Sequence, residues 1–521
     1  DIGAEYSQYT ADIPAITVGL RGIIACVTDV TESERRHLLE CIAGLATVEA
    51  ENENPLKTFL PLPVHRLALR PDIVLVLGGK GVGKSSFFQI LANLRTSKRI
   101  AMLVTVEPKL RCLFVDAFSQ TRRENLDVAV LDSIATSATD MQLRAFWMFE
   151  LFRRTIEDMV RLHDDHKLEG ISSDQREKLK LFSHLTTSFR ASPIDKLRDI
   201  EHLQAQLVQA FDDIETDLQQ QSVTLIATYD HLDRIGAFER KLRQRHVGAL
   251  LGLWVSFSNR YKHIRGKIFL RDDLFEAQSR FPDAAKLRAR SVSIEWDLPS
   301  LYRAVVRHLA ARSEPMRQWL ASIPGITLHD RGEFGFMPGE MPEEVQRAFL
   351  ERMATKIIGR GVMKTYTHRW IASRLRDSKG RVAPRSILSL FGFAAQEALK
   401  RTPRTADAPL LNTQDLTSAL EATSRQRVEE VREECPAVDR LENLRGMNMP
   451  IPRDVAVERL EQPGPFEDPQ SDPLGGAAAL DRLARFGALY VRDEHEIDVP
   501  DLYRYHFGIH RTGGGGSQTG S

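Results

Sequence analysis

Eight consecutive residues form the clearest chemical motif of the chain. Residues 78–85 read GGKGVGKS, which fits the pattern G-x-x-x-x-G-K-[ST] at every defined position. Glycines let successive backbone N–H groups turn toward an anion without Cβ clashes, and a helix that begins there adds the positive end of its dipole. Lys84 is expected to reach the β- and γ-phosphates of a nucleotide, and the Ser85 hydroxyl to ligate Mg²⁺. The motif predicts a nucleoside-triphosphate site; a glycine-rich turn without a ligand is the alternative.

The residues on either side of this motif are those that such a loop needs. Residues 73–77 are apolar and partly β-branched, which is typical of a buried strand, and residues 86–94 continue as an apolar helix. A strand–loop–helix unit is therefore predicted. Lys80 and Ser86 have less certain roles than the other members of the set. The residues expected to contact the nucleotide are Gly78, Gly79, Lys80, Gly81, Val82, Gly83, Lys84, Ser85 and Ser86.

A second apolar run, residues 223–229, is followed directly by Asp230. A carboxylate at the carboxyl end of a neighbouring strand is what the metal of such a site requires, so Asp230 is expected to share Mg²⁺ with Ser85. Asp233 lies three residues further on, where a second acid could orient the attacking water. Aspartates are also ordinary turn and cap residues, which is the alternative interpretation for both.

A third strand is predicted at residues 267–270, and Arg271 follows it. An arginine at this position would face the γ-phosphate. A local salt bridge to Asp272 or Asp273 is the alternative, because arginine often pairs with nearby carboxylates. The predicted catalytic set is therefore Lys84, Asp230, Asp233 and Arg271.

Length, charge balance and cysteine content limit the classes of protein to which this chain could belong. The chain has 521 residues, which is long for one core and predicts about two to four domains. The 71 basic residues balance the 71 acidic ones, so no overall field favours nucleic acid. Its four cysteines form no C-x-x-C pattern, which argues against a disulfide framework and favours a reducing, cytoplasmic location. No apolar run reaches the ~18 residues of a membrane span.

In order along the chain, these motifs resemble those of the signal-transduction ATPases with numerous domains (STAND) and of the related origin-recognition-type AAA+ ATPases. In STAND proteins the metal strand typically ends in D-G-L-D-E; here His231 replaces the glycine and Arg234 the final acid. The resemblance implies ATP and Mg²⁺ as cofactors, with hydrolysis slowed by these departures. It also implies a nucleotide-controlled switch or assembly platform, with self-association or an effector protein as partner, in a bacterial conflict or antiviral defence system.

The same resemblance extends to later segments. Residues 294–296 with Leu301 and Tyr302 are similar to the helix that follows the core in a bacterial family of such ATPases. Residues 380–385 are similar to the family's GR-x-x-PR stretch, which implies that Arg385 reaches the nucleotide from a helical lid; an exposed helix-start arginine is the alternative. A DNA-binding or remodelling ATPase of origin-recognition type is the second functional hypothesis.

We therefore expect an α/β fold: a P-loop NTPase core with a parallel sheet and a helical insertion, followed by a helical lid domain and a C-terminal winged-helix-like module. Strands are predicted at residues 102–106 and 112–118, a loop at 55–63, and a helix that Thr413 caps. Because the chain begins at Asp1 rather than Met, we expect its natural N-terminus to be missing, and residues 512–521 to be an artificial linker. The expected division is 1–70 lead-in, 71–298 core with the insertion at 136–218, 299–445 lid, 446–475 linker and 476–511 winged-helix-like module.

The C-terminal module is the place where nucleic acid would bind. Residues 503–511 mix aromatic and basic side chains, which could contact a DNA backbone. Packing on the ATPase core or on a protein partner is the favoured alternative, because the chain lacks the basic excess of a DNA binder.

Overall fold

The computed structural model describes residues 31–47, 54–104, 111–119, 127–164, 193–236, 240–278, 283–359, 364–401, 408–467, 474–492 and 495–511. The described part of the chain is a mixed α/β protein with a five-stranded parallel sheet and mainly helical content. The predicted artificial linker and part of the predicted insertion lie outside the described residues.

The sheet consists of β1 (Leu75–Leu77), β2 (Arg111–Phe118), β3 (Val223–Tyr229), β4 (Ile264–Leu270) and β5 (Ser291–Ser293), in the order β2-β3-β4-β1-β5. Every neighbouring pair is parallel. Parallel neighbours require crossover connections that return the chain to the same end of the sheet. The carboxyl ends of β1, β3 and β4 therefore meet at one edge, which places the loop after β1, Asp230 and Arg271 together.

The core strands alternate with helices, whose bounds are Lys84–Leu94, Ser97–Val104, Val128–Ser137, Asp140–Asp164, Pro193–His202, Gln204–Gln220, Arg240–Arg260, Asp272–Glu276 and Ala284–Arg288. The predicted strand at 102–106 is wrong for its described part, because residues 102–104 end the helix Ser97–Val104. Ile100, Leu103 and Val104 are buried, whereas Met102 is exposed. This spacing of buried residues is that of a helix rather than a strand.

The residues ahead of the loop are more structured than predicted. The helix Glu32–Ala43 begins after Thr31, which forms a capping box with Glu34. Two short helices, Pro55–Thr58 and Pro63–Ala68, replace most of the predicted loop at 55–63. Proline in the first turn of each fits a helix start, because its missing N–H has no partner there anyway.

A second, mainly helical layer follows the sheet. Its helices are Leu298–Ala310, Glu314–Ala321, Glu343–Met353, Thr367–Leu375, Pro384–Leu399 and Thr413–Arg432, with small hairpins of β6 (Leu328–Asp330) with β7 (Phe336–Pro338) and of β8 (Ile357–Ile358) with β9 (Thr365–Tyr366). We call Thr413–Arg432 the lid helix. Asn412, not Thr413, is its N-cap: its side chain accepts from the Asp415 N–H at 2.9 Å.

Residues 446–460 are folded rather than a linker. They form β10 (Asn448–Met449), β11 (Ile451–Pro452) and the helix Arg453–Leu460. Met449, Ala456 and Leu460 are fully buried in the core of the helical layer, which explains why a proline-rich segment is ordered here. The prediction of a linker across 446–475 is therefore wrong for this part, and residues 468–473 lie outside the described ranges.

The C-terminal segment consists of the helix Gly476–Phe486, β12 (Tyr490–Arg492), β13 (Glu496–Asp498), the helix Asp501–Phe507 and β14 (His510–Arg511). β12 and β13 form an antiparallel hairpin after the first of these helices, and β11 joins the hairpin in the order β11-β13-β12. Leu480, Leu483 and Ile497 are buried in the core shared with the helical layer. Within the described ranges, no helix has the length and apolar character needed to cross a membrane.

Candidate functional site

The loop after β1 has the backbone that an anion nest requires. Gly81 and Gly83 have φ angles of +82° and +96°, which residues with a side chain rarely adopt. Gly83 immediately precedes the helix Lys84–Leu94, so the N-terminus of that helix opens directly onto the loop. Backbone N–H groups and the positive end of the helix dipole therefore converge at one point.

Lys84 folds back onto its own loop. Its Nζ donates hydrogen bonds to the carbonyl oxygens of Gly78 at 2.7 Å and Gly79 at 2.8 Å. Burial lowers the pKa of the Lys84 ammonium, and the nearby carboxylates, led by Glu434 and Asp230, only partly offset this. The cation is thus held at the loop by contacts that a phosphate could replace.

Trp296 closes the loop from the far side. Its indole Nε1–H donates to the carbonyl of Val82 at 2.8 Å. The sequence resemblance assigned Trp296 to a segment similar to a post-core helix, but the helix begins only at Leu298. Trp296 therefore lies in the connection after β5, where it supports the loop, a role that its local sequence does not reveal.

A cavity of about 880 Å³ opens between the loop, the sheet edge and the helical layer. This volume lies within the range of roughly 300–1,000 Å³ typical of small-molecule sites. The predicted site residues that line it are Lys80, Gly81, Gly83, Lys84, Ser85, Ser86, Asp230, Asp233, Arg271 and Arg385. Gly78, Gly79 and Val82 belong to the same loop without lining the cavity. A smaller cavity of about 360 Å³ at Arg35 and Asn412 is remote from this chemistry.

Asp230 is buried at the end of β3. Its backbone N–H donates to the Phe118 carbonyl at 2.9 Å, which anchors the turn to β2. One carboxylate oxygen, Oδ2, is buried with no hydrogen-bond partner among the described residues, and Nδ1 of His231 lies 3.7 Å from it. A buried carboxylate oxygen without a partner is costly unless a cation or water completes its surroundings.

Asp233 lies one turn further on. Its carboxylate is 3.8 Å from Nη1 of Arg271. Burial works to raise the pKa of Asp233, but Arg271, His231 and Lys84 outweigh it, so the pKa lies below its usual value. The carboxylate is therefore ionised at neutral pH.

Arg271, directly after β4, is only 6% exposed and is surrounded by acids. It donates to both carboxylate oxygens of Asp273, at 3.0 and 2.7 Å. Its Nε is also 3.0 Å from an oxygen of Glu434, at the end of the lid helix. The local salt bridge that was the alternative interpretation of Arg271 is therefore present, with Asp273 as its partner. Glu434 is a second partner, from a distant part of the sequence.

The lid helix contributes two further ion pairs to the cavity. Arg385 donates to Glu430 at 3.1 Å, and Lys80 of the loop pairs with Glu433. Arg427 donates both to Glu430 at 3.0 Å and to the backbone carbonyl of Lys80 at 3.1 Å. The lid helix is therefore attached directly to the phosphate-binding loop.

Glu434 is the most perturbed acid of this group. Burial raises its pKa to about 7, although Arg271 and Arg427 favour the ionised form. Nothing local in the sequence identifies these lid acids, because their partners lie as much as 353 residues away along the chain.

The opposite wall of the cavity is apolar and aromatic, and comes from residues 55–65. His65 packs at a tilt against the stacked rings of Phe59 and Phe87, at centroid distances of 4.8 and 4.6 Å. Its Nδ1 accepts from the Leu62 N–H at 2.9 Å, so the neutral ring carries its proton on Nε2. That Nε2 is buried without a partner among the described residues, and burial lowers the pKa of His65 to about 3.

Within the described ranges, no group of three or more His, Cys, Asp or Glu side chains could hold a metal by itself. Ser85 and Asp230 together would supply two oxygen ligands. That number suits Mg²⁺ in a nucleotide site, because Mg²⁺ usually keeps several waters and binds one or two protein oxygens plus substrate phosphates.

Comparison with known proteins adds little to this picture. A scan against protein-family models and a search of curated proteins each find no match. Among solved structures, the ORC2 protein of Aeropyrum pernix, in ADPNP–ADP complexes, aligns over 91% of this chain and 92% of its own at 12% identity. The TM-score is 0.34, too low to carry an argument about fold or function.

Proposed function

We propose that this chain is a P-loop ATPase that binds ATP with Mg²⁺, hydrolyses it slowly and acts as a nucleotide-controlled switch. The observation that supports this is the convergence of the loop, Asp230 and Arg271 on one cavity at one edge of a parallel sheet. Three separate strands contribute the groups, each at its carboxyl end, where ligands of open α/β sheets bind.

Each residue takes a role that follows from its surroundings. Lys84 exchanges its bonds to the loop carbonyls for phosphate oxygens, with the loop N–H groups around them. Ser85 and Asp230 would hold Mg²⁺, which neutralises phosphate charge when bound. Asp233 orients the attacking water, but its lowered pKa makes it a weak base, in keeping with slow turnover. Arg271 contacts the γ-phosphate.

We place the base against the wall formed by residues 55–65. Phe59 and Leu60 supply apolar surface, and His65 supplies an N–H that lacks a partner among the described residues. A flat heterocycle with ring-nitrogen acceptors, such as adenine, matches that combination.

In the switch we propose, the helical layer covers the nucleotide, with Arg385 beside Gly81 of the loop. Nucleotide-dependent release of that layer would expose a surface for self-association or for an effector protein, for example in a cytoplasmic conflict or defence system. Hinge responses to a γ-phosphate are well attested at such sites.

The test is calorimetric titration of the full chain with ATP and Mg²⁺. Loss of the charge-assisted contacts in Lys84→Ala should weaken ATP binding by roughly 10- to 100-fold. Asp230→Asn should remove most of the Mg²⁺ dependence of binding. Lys400→Ala is the matched control, because Lys400 is exposed and pairs with Glu397 far from the cavity. If the Lys84 variant bound ATP as tightly as the wild type, the proposal would be wrong.

A DNA-binding ATPase of origin-recognition type is the second candidate. The observation in its favour is the helix Gly476–Phe486 followed by the three-stranded β11-β13-β12 sheet, an arrangement suited to a winged-helix-like module. Against it, Arg492 and Arg511 both pair with Asp498, which reduces their charge toward a phosphate backbone. Duplex binding that falls steeply with salt would favour this candidate over the switch.

A further inference from the structure

We propose that Glu434 is a positioning residue for Arg271, holding its guanidinium away from the nucleotide until a triphosphate displaces it, with Glu433 and Glu430 acting likewise on Lys80 and Arg385. This inference rests on the proposed ATP site. It concerns three acids at the end of the lid helix that stand where a phosphate's negative charges are expected.

Three of the six Lys and Arg side chains that line the cavity pair with these acids. Of the basic side chains that line it, Lys80 pairs with Glu433, Arg385 with Glu430 and Arg271 with Glu434. The three acids lie within residues 430–434: Glu430 is in the last turn of the lid helix, and Glu433 and Glu434 follow directly after its last residue, Arg432. Carboxylates stabilise a helix near its N-terminus rather than its C-terminus, so their position is unfavourable for the helix alone.

Arg271 is the most fully engaged of these cations. Its guanidinium is nearly buried and has carboxylates of Asp273, Glu434 and Asp233 at 2.7, 3.0 and 3.8 Å. Asp273 is a neighbour in sequence and moves with Arg271, whereas Glu434 comes from the lid. A γ-phosphate at Arg271 therefore competes with the Glu434 carboxylate for the positive charge of the same guanidinium.

This competition distinguishes nucleotides. ATP offers a γ-phosphate in exchange for the Glu434 carboxylate, but ADP has none to offer. Displacement of Glu434 also breaks a contact between the core and the lid helix, so the same event that recognises ATP loosens the lid. A ligand shifts a conformational equilibrium only if it binds one of the two states more tightly than the other. The exchange of Glu434 for a γ-phosphate gives ATP that difference in affinity.

Proton binding to Glu434 should have the same effect as its displacement. Burial raises the pKa of Glu434 to about 7, and the nearby negative charge of Asp273 raises it as well. Arg271 and Arg427 act in the opposite direction, because they favour the ionised form. The groups that face Glu434 are Arg271 and Asp273 after β4, Lys84 of the loop and Arg427 of the lid helix; Asp233 and His231 face Arg271 from the turn after β3. Below pH 7 the neutral acid holds Arg271 less strongly.

The first experiment compares Glu434→Gln with the wild type by calorimetric titration at pH 8, with ATP or ADP and saturating Mg²⁺. Removal of one competing charge should tighten ATP binding about tenfold and change ADP binding less than about twofold. Glu429→Gln is the control, because Glu429 is exposed on the same helix and does not line the cavity. A merely structural role for Glu434 would weaken the binding of both nucleotides or leave both unchanged, and either result would overturn the inference.

The second experiment measures the pH dependence of ATP binding, first in the wild type. Wild-type affinity for ATP should rise about fivefold when the pH falls from 8 to 6, because protonation of Glu434 then weakens its ion pair with Arg271 before ATP binds. The rise should be absent in Glu434→Gln, which cannot ionise. A flat wild-type profile refutes the inference while ATP binding stands, whereas failure of the wild type to bind ATP at all overturns both proposals.

Discussion

The titration of His65 reports whether water reaches the cavity wall of residues 55–65, against which we place the base. The ring is 1% exposed and packs at a tilt against two phenylalanines, with its Nδ1 already accepting from the Leu62 N–H. Protonation would place a charge in this apolar wall, so the folded protein keeps His65 neutral. In His65→Asn, the amide oxygen can still accept from Leu62, but nothing at this position titrates.

The size of the effect follows from the pKa shift. Burial lowers the pKa of His65 from 6.5 to about 3, so between these values the unfolded chain binds a proton that the folded chain does not. Stability conferred by the neutral ring is therefore complete above pH 6.5 and is lost as the pH falls toward 3. At about 1.4 kcal/mol per pKa unit, the wild type should lose about 2 kcal/mol between pH 7.5 and 5 from this group alone.

Two assays check this prediction. Urea unfolding at pH 7.5 and 5 should show that the stability gap between wild type and His65→Asn narrows by about 2 kcal/mol on acidification. All other titrating groups are common to both chains and cancel in the difference. NMR of the His65 ring C–H should show no titration between pH 8 and 5. A midpoint near 6.5, or a gap independent of pH, would mean that the ring is hydrated and that the wall is not apolar.

Two further predictions concern packing around the loop and in the helical layer. Gly392→Ala should lower stability by ~1–3 kcal/mol in thermal unfolding, because its Cβ would lie 2.1 Å from the backbone N of Ala46, whereas Gly44→Ala, with no contact closer than 3.7 Å, should have little effect. Trp296→Phe removes the hydrogen bond to the Val82 carbonyl and should weaken ATP binding severalfold, at a net cost of about 1 kcal/mol; the control Trp319→Phe should change Tm without changing ATP affinity.

The pattern of neighbouring residues was sufficient to predict those elements that depend mainly on local sequence. The strand–loop–helix at residues 73–94 and the runs that become β3 and β4 stand out because buried parallel strands are continuously apolar. Pattern failed at residues 102–104, where a short apolar run fits a strand and a helix equally well, and only the exposure of Met102 decides between them.

The remaining misses concern long-range packing. Proline content predicted a linker at residues 446–460, but Met449 and Leu460 find a core to fill, and tertiary burial outweighs the local preference. The partners of Arg271 and Lys80 on the lid helix could not be predicted, since nothing in the sequence indicates which acid, among 71 acidic residues, meets which cation. The sequence also did not identify His65 as a cavity residue, because its contacts depend on tertiary packing.

The hydrogen bond from Arg427 to the Lys80 carbonyl joins groups 347 positions apart, and this has a consequence for how the protein is made and dissected. On the ribosome, the glycine-rich loop emerges long before the residues that complete its surroundings, so a nascent chain has the motif without the finished cleft. A fragment that stops before residue 413 would likewise retain every motif residue and lack one wall of the nucleotide chamber. A polypeptide used for measuring affinity must therefore extend at least through Glu434.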